Sequence, residues 1–171
     1  MISVVNHSNW LTFARNSINK SECPRVAIYV NIRLSSFRFS LYRNIIDFRD
    51  ILLVLFFNNN NIFWLMNVYS DFSYSALKYL KNTEVNIRNL LIMTGNFNIQ
   101  DSLWDPSFSH HSSISDNLLI IADSFNLNLS ILTNQVLTRY SDNANNSNSD
   151  IDLMFLWCNL FKLDNHSIHS K

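Results

Sequence analysis

The sequence predicts a layered α/β domain from three observations. Short runs of β-branched and aromatic residues recur along the chain. Two stretches between them carry apolar residues at three- and four-residue spacing. The resulting order of strand, helix and strand is that of helices packed on sheets. A chain of 171 residues fits one domain with a continuous core and is short for two. An apolar fraction of 47% with 13 phenylalanines excludes a disordered chain, while only 15% charged residues, one glycine and two prolines leave few residues for tight turns.

Taken in order, residues 1–22 show no sustained period and are expected to be a poorly defined N-terminal segment, with a partial domain over 23–171. They lack the continuous apolar core of a signal peptide. RVAIYVNIRL at 25–34 is a strand candidate, and 37–50 reads as a loop or irregular strand connection. ILLVLFF is a buried strand, far too short to span a membrane as a helix. NNNN at 58–61 is a turn, and IFWLMNVY at 62–69 pairs back as a hairpin, since asparagine tolerates positive φ where glycine is absent.

Residues 70–89 predict a helix with Ala76, Leu77 and Leu80 on its apolar side and Asp71 or Ser73 as cap. LLIM at 90–93 is a third buried strand, ending at Gly95, the chain's only glycine. The clearest helix lies in 112–130, where Ile114, Leu118, Ile121, Ala122 and Phe125 recur at helical spacing, Ser113 is the expected cap and Asn126 the expected stop. QVLTRYS at 135–141 is a short strand, 141–150 a polar loop, and IDLMFLW at 151–157 a last strand with Asp150 and Asp152 at its mouth.

Charge and cysteine content narrow the function classes. Residues 1–95 hold ten Lys/Arg against five Asp/Glu, and residues 96–171 hold three against eight, so the net charge is zero but divided. That balance argues against a strongly basic nucleic-acid binder and fits a cleft where acidic groups meet a cation and basic groups meet phosphate, or an accident of composition. Arg25, Arg33, Arg38, Arg43 and Arg49 could touch a DNA backbone or simply keep an apolar domain soluble. Cys23 and Cys158 are too few for a disulfide framework or a four-ligand zinc site and read as reduced thiols.

Three strand ends carry the candidate chemistry: Tyr69, Asn96 with Asn98, and Asp152. Polar residues at the mouths of apolar strands can converge over a sheet edge. Amide and phenol donors there can hold phosphoryl oxygens, and carboxylates can bind Mg²⁺ or orient a base. Read alone, Asn96 and Asn98 are as well explained as caps of a turn, Tyr69 as a core-edge aromatic and Asp152 as a loop stabiliser. Trp104 and His111 are candidate substrate contacts. His110 and His111 beside Asp105 and Asp116 match no strong metal-ligand spacing.

GNFN after an apolar strand, the upstream NVYSD and the later IDLMF resemble the endonuclease/exonuclease/phosphatase superfamily. More closely, CPRVAIYVNIRL, GNFNIQDSLWDP, HHSSISDNLLIIADSFNL and TRYSDNANNSNSDIDLMF look like the endonuclease domain of fungal non-LTR retrotransposons, over about Cys23 to Trp157. The resemblance implies a DNase I-like four-layered α/β sandwich, here incomplete at both ends, and phosphodiester hydrolysis of DNA with Mg²⁺ (or Mn²⁺). It also implies an intracellular, nuclear setting and a polyprotein partner with a reverse transcriptase, and no membrane.

Carried over residue by residue, Tyr69 falls at the active-site tyrosine, Asn98 at the motif asparagine and Asp152 at the aspartate that orients the catalytic histidine. Asn96 stands where the family motif G-D-F-N has its aspartate. A metal-binding glutamate before residue 25 and a closing S-D-H have no counterpart, Glu22, His166 and His169 take no role, and the metal ligands stay unknown. An asparagine at 96 keeps the shape of aspartate without its charge or basicity. Weak or absent hydrolysis is therefore expected, with a non-catalytic nucleic-acid-binding remnant and a phosphatase of small substrates as the alternatives.

Overall fold

The computed structural model describes residues 9–14, 25–34, 37–42, 44–58, 61–105, 108–130 and 152–157. Strands β1 (Trp10–Ala14) and β2 (Ala27–Asn31) form an antiparallel pair, and β2 runs into a 3-10 turn over Ile32–Leu34. Strands β3 (Arg38–Leu41), β4 (Ile51–Asn58), β5 (Asn61–Tyr69), β6 (Leu90–Asn96), β7 (Leu127–Leu129) and β8 (Asp152–Trp157) make a second sheet in the order β3-β4-β5-β6-β8-β7. Helices α1 (Ser75–Asn82) and α2 (Ser113–Ser124) complete the described elements.

ILLVLFF is apolar throughout because β4 is covered on both sides, as a strand between two layers must be. Ile51 and Leu53 enter a core with Ala76, Leu77 and Leu80 of α1 and Leu118, Ile121 and Ala122 of α2. Their neighbours Leu52 and Val54 enter a second core with Val26, Ile28 and Val30 at β2. The alternation of side chains along a strand sends each set to its own face. Among the described residues this gives three layers: helices, six-stranded sheet and two-stranded sheet.

The expected hairpin forms, from Ile51 opposite Val68 to Asn58 opposite Asn61. From β5 the chain passes through α1 to β6, which lies parallel to β5, the connection that parallel neighbours require. Helix α1 is shorter than the 70–89 expected. Asp71 Oδ1 gathers the Ser73 and Ser75 N–H groups at 3.2 and 3.4 Å, so the cap carboxylate is used, but the helix begins only after Tyr74 in a left-handed turn. It stops at Asn82, and the run after it is rich in Asn, Thr and Val, which favour caps and extended backbone over helix interiors.

Helix α2 is capped one residue earlier than expected. Ser112, in extended backbone, accepts the Ser115 N–H on its Oγ at 3.2 Å, the geometry of an N-cap. Asn126, with φ 58°, turns the chain out of the helix in the expected place and lets β7 begin at once. Two further segments differ from expectation: β1 lies within the stretch that showed no period, and β3 within the expected irregular connection. Both are short and gain their stability from pairing, which local sequence does not record. The strand expected at 135–141 and the loop at 141–150 fall outside the described residues.

Gly95 occupies a position that no other residue fits. Its φ is +148°, and a Cβ added there would lie 1.8 Å from the Val68 carbonyl oxygen on β5. The chain's only glycine therefore lets two parallel strands approach at the end of β6.

Candidate phosphodiester site

Cα partners bring Tyr69 on β5 level with Asn96 on β6, and Asn96 level with Asp152 on β8. Residues level across neighbouring strands share a face, so one row of polar groups crosses three strands. Asn67 and Thr94, two residues earlier on β5 and β6, are level with each other and lie on the same face. Tyr69 packs against the core beside β2, which sets that face toward the small sheet and away from the helices.

A cavity of about 380 Å³ opens there, lined by Arg25, Asn67, Tyr69, Thr94, Asn96 and Asp152 together with Val26, Ala27, Val68 and Gly95. Asn67 Nδ2 donates to the Ala27 carbonyl at 2.9 Å, tying the two sheets beside the opening. Arg25 holds the wall. Its Nε donates to Asp50 Oδ1 at 2.7 Å and an Nη to Asp50 Oδ2, while its guanidinium carbon sits 4.7 Å from the centroid of the Tyr69 ring. Asp50 is buried and also accepts from Arg49 Nε at 3.2 Å. The hydrogen bond to Asp50 raises the Arg25 pKa above its already high ordinary value, against the effect of burial, so its charge is permanent.

Asn98 stands just behind the row. Its N–H donates to Asn96 Oδ1 at 3.1 Å and its Nδ2 to the Ser70 carbonyl at 2.5 Å, with its backbone at φ 51°. The Ser70 N–H in turn donates to the Asn96 carbonyl at 2.8 Å. Asn98 thus binds the end of β6 to the end of β5 and does not line the cavity. Of the four candidate catalytic residues, Tyr69, Asn96 and Asp152 meet at one opening and Asn98 braces it.

Trp104 and His111 lie elsewhere. Trp104 is 4% exposed within the helical core and donates its ring N–H to the Ile99 carbonyl at 3.1 Å. His111 bridges two carboxylates, with Nδ1 3.0 Å from Asp101 Oδ2 and Nε2 2.7 Å from Asp116 Oδ1. Asp101 is fully buried and also accepts the N–H groups of Leu103 and Ser112 and the Ser115 hydroxyl, at 2.9, 2.7 and 2.5 Å. Burial opposes its ionisation, yet these hydrogen bonds together outweigh burial and hold its pKa well below the usual carboxylate range. His111, hydrogen-bonded first to Asp101 and then to Asp116, has its pKa raised. This cluster fastens the loop after β6 to the start of α2.

Of Arg25, Asn67 and Thr94, only Arg25 was named from sequence, as one of five arginines that could touch a DNA backbone. The other two leave a trace there: Asn67 and Tyr69, and Thr94 and Asn96, are polar pairs two residues apart on otherwise apolar strands, the period that puts both on one face. Nothing in the sequence set Arg25 apart from the other four arginines, because its place depends on how β2 packs over β5.

The described residues do not suit a magnesium ion. A bound Mg²⁺ takes an octahedron of oxygens with one or two carboxylates supplemented by water and phosphate. Among the described residues the cavity offers one carboxylate, Asp152, and the Asn96 amide oxygen is turned to the Asn98 N–H. Among the described residues no group of three His, Cys, Asp or Glu side chains is placed to hold a metal. No described helix is long and apolar enough to cross a membrane.

No protein-family pattern matches the sequence, and no curated protein matches it. Among solved structures, the chain is similar to the endonuclease domain of TRAS1, a telomere-specific non-LTR retrotransposon, with a TM-score of 0.67 at 16% identity over 89% of this chain and 68% of that one. Similarity to D. rerio TDP2 complexed with single-strand DNA product is lower, with a TM-score of 0.46 at 13% identity over 87% of this chain and 62% of that one, and adds nothing to the first. The chain thus has a mixed α/β fold like that of the TRAS1 endonuclease domain.

Proposed function

We propose that the chain is an endonuclease-type domain of a non-LTR retrotransposon, of the fungal kind, that holds the DNA backbone at the cavity and hydrolyses it weakly or not at all. The observation that carries this reading is the row of Tyr69, Asn96 and Asp152 across three strands, facing one cavity of about 380 Å³. A phosphodiester needs donors for its non-bridging oxygens and a group that removes a proton from the attacking water. The Tyr69 hydroxyl and Asn96 amide are of the first kind. Asp152 is the group that would orient a histidine base.

Asparagine at 96 explains the weak hydrolysis. An amide is neither charged nor basic, so it orients a water without activating it. Magnesium or manganese belongs to the proposed ancestry. The ancestry also carries a four-layered sandwich, a reverse transcriptase in the same polyprotein and a nuclear setting. Support for a further layer comes from Thr12 and Ala14. They alternate with Phe13, which packs toward the main sheet, yet they are 5% and 6% exposed. Trp104 and His111 contribute at most by holding the loop behind Asn98.

Plasmid nicking by the purified chain tests the reading. The expected result is retention of a labelled oligonucleotide with little or no nicking. Strong nicking that survives Asn96→Ala and Asp152→Ala would place the reaction elsewhere, and failure to hold DNA at low salt would remove the reading altogether.

A further inference from the structure

Which end of the Asn96 amide faces the cavity decides what the cavity can hold. The oxygen accepts the Asn98 N–H at 3.1 Å, so the NH₂ end is left to the row it shares with Tyr69 and Asp152. An aspartate in the same rotamer would put its second oxygen there, level with Asp152 across an antiparallel pair. Like charges directly opposite each other on paired strands are destabilising, and a cation between them is the ordinary remedy. Asparagine replaces that second oxygen with a donor and removes the need for the cation.

The remaining wall agrees. Among the described lining residues Arg25 is the cationic member. Two of its five N–H groups go to Asp50, an arrangement that fixes the plane of the guanidinium without neutralising its other donors. Asp50 shares its charge with Arg49. Asp71 Oδ2 lies 3.6 Å from Arg25, while its Oδ1 is taken by Ser73 and Ser75. The Arg25 side chain keeps 31% of its surface exposed while flanking Tyr69.

We infer that this cavity accepts the phosphodiester of a nucleic-acid strand without a divalent cation, with the Arg25 guanidinium and the Asn96 amide N–H groups directed at the anionic oxygens. The inference rests on the reading of the cavity as a phosphodiester site and adds that the site is independent of metal.

The experiment compares a short fluorescein-labelled oligonucleotide titrated by anisotropy in EDTA and in Mg²⁺ at constant ionic strength, alongside thermal melts of the unmodified chain and of Asn96→Asp. The expected affinities in the two buffers agree within about twofold, since the contacts are to protein donors. The melting temperature of the unmodified chain ignores Mg²⁺, whereas Asn96→Asp melts lower in EDTA and recovers on adding Mg²⁺. Oligonucleotide binding that vanishes in EDTA would overturn the inference and leave the phosphodiester reading standing. An Asn96→Asp melt indifferent to Mg²⁺ would overturn the role given to residue 96. Absence of binding in both buffers would remove the phosphodiester reading itself, and this inference with it.

Discussion

Asp101, beneath the start of α2, accepts hydrogen bonds from Leu103, Ser112, Ser115 and His111 and is sealed from solvent. Asn96, at the end of β6, accepts one from Asn98 and lines an open cavity. Asn96 closes the strand and Asp101 follows it by five residues, and both look from sequence like polar residues at one strand end. The difference is one of saturation. A buried carboxylate with four donors has its chemistry fully used in holding the loop, whereas a polar row across three strand ends facing open volume can take a ligand.

The largest effect that would sharpen this contrast is at Gly95, which belongs to the scaffold of the open site. Gly95→Ala should cost about 4 kcal/mol or fail to fold, because the added methyl meets the Val68 carbonyl and strands β5 and β6 cannot part without losing their ladder. Urea denaturation measures it, and a loss within about 1 kcal/mol would show that the strands separate easily.

Asp101→Ala comes next, at roughly 3 kcal/mol, since it strands several buried donors at once. The folded fraction should hold a labelled oligonucleotide as before. A loss of binding with stability intact would break the contrast by making Asp101 part of the site.

Tyr69→Phe should behave in the opposite way. The ring beneath Arg25 is kept, so stability should move by less than about 0.5 kcal/mol, while losing one hydroxyl donor should weaken oligonucleotide binding roughly fivefold, the worth of one hydrogen bond. Unchanged binding would remove Tyr69 from the site.

The smallest effects are those of pH. His111 has a raised pKa, so its contribution is fully present below the ordinary imidazole value near 6.5 and is lost as pH rises through the raised folded value. His111→Ala should abolish that slope in denaturation midpoints as pH rises above about 6.5. Asp71 runs the other way. The Ser73 hydrogen bond, with help from Ser75 and Arg25, lowers its pKa to about 2. Its contribution is present above the ordinary carboxylate value of 3.8 and fades as pH falls toward about 2. Asp71→Asn should flatten stability in that window.

Much of the architecture was legible in advance where the signal is local. The hairpin, the strand ending at Gly95 and the core face of α2 follow from composition and period, because burial on one or two faces leaves a mark every second or every third to fourth residue. Strands β1 and β3 were illegible because their order comes from partners distant in sequence. Trp104 shows the same limit at a single residue: beside an asparagine-rich loop it reads as a contact for substrate, and only packing against the helical core turns it inward.

By itself the sequence determined which residues could do chemistry, since side-chain type fixes donors, acceptors and charge: a tyrosine, two asparagines and an aspartate at strand mouths, with an amide at 96. The tertiary structure decided which of them share an opening. Strand register set Tyr69, Asn96 and Asp152 level, a left-handed turn drew Asn98 behind them, and the packing of β2 over β5 brought in Arg25. Register and packing depend on contacts between residues far apart in the chain, and one sequence records only what each residue can offer to such a contact.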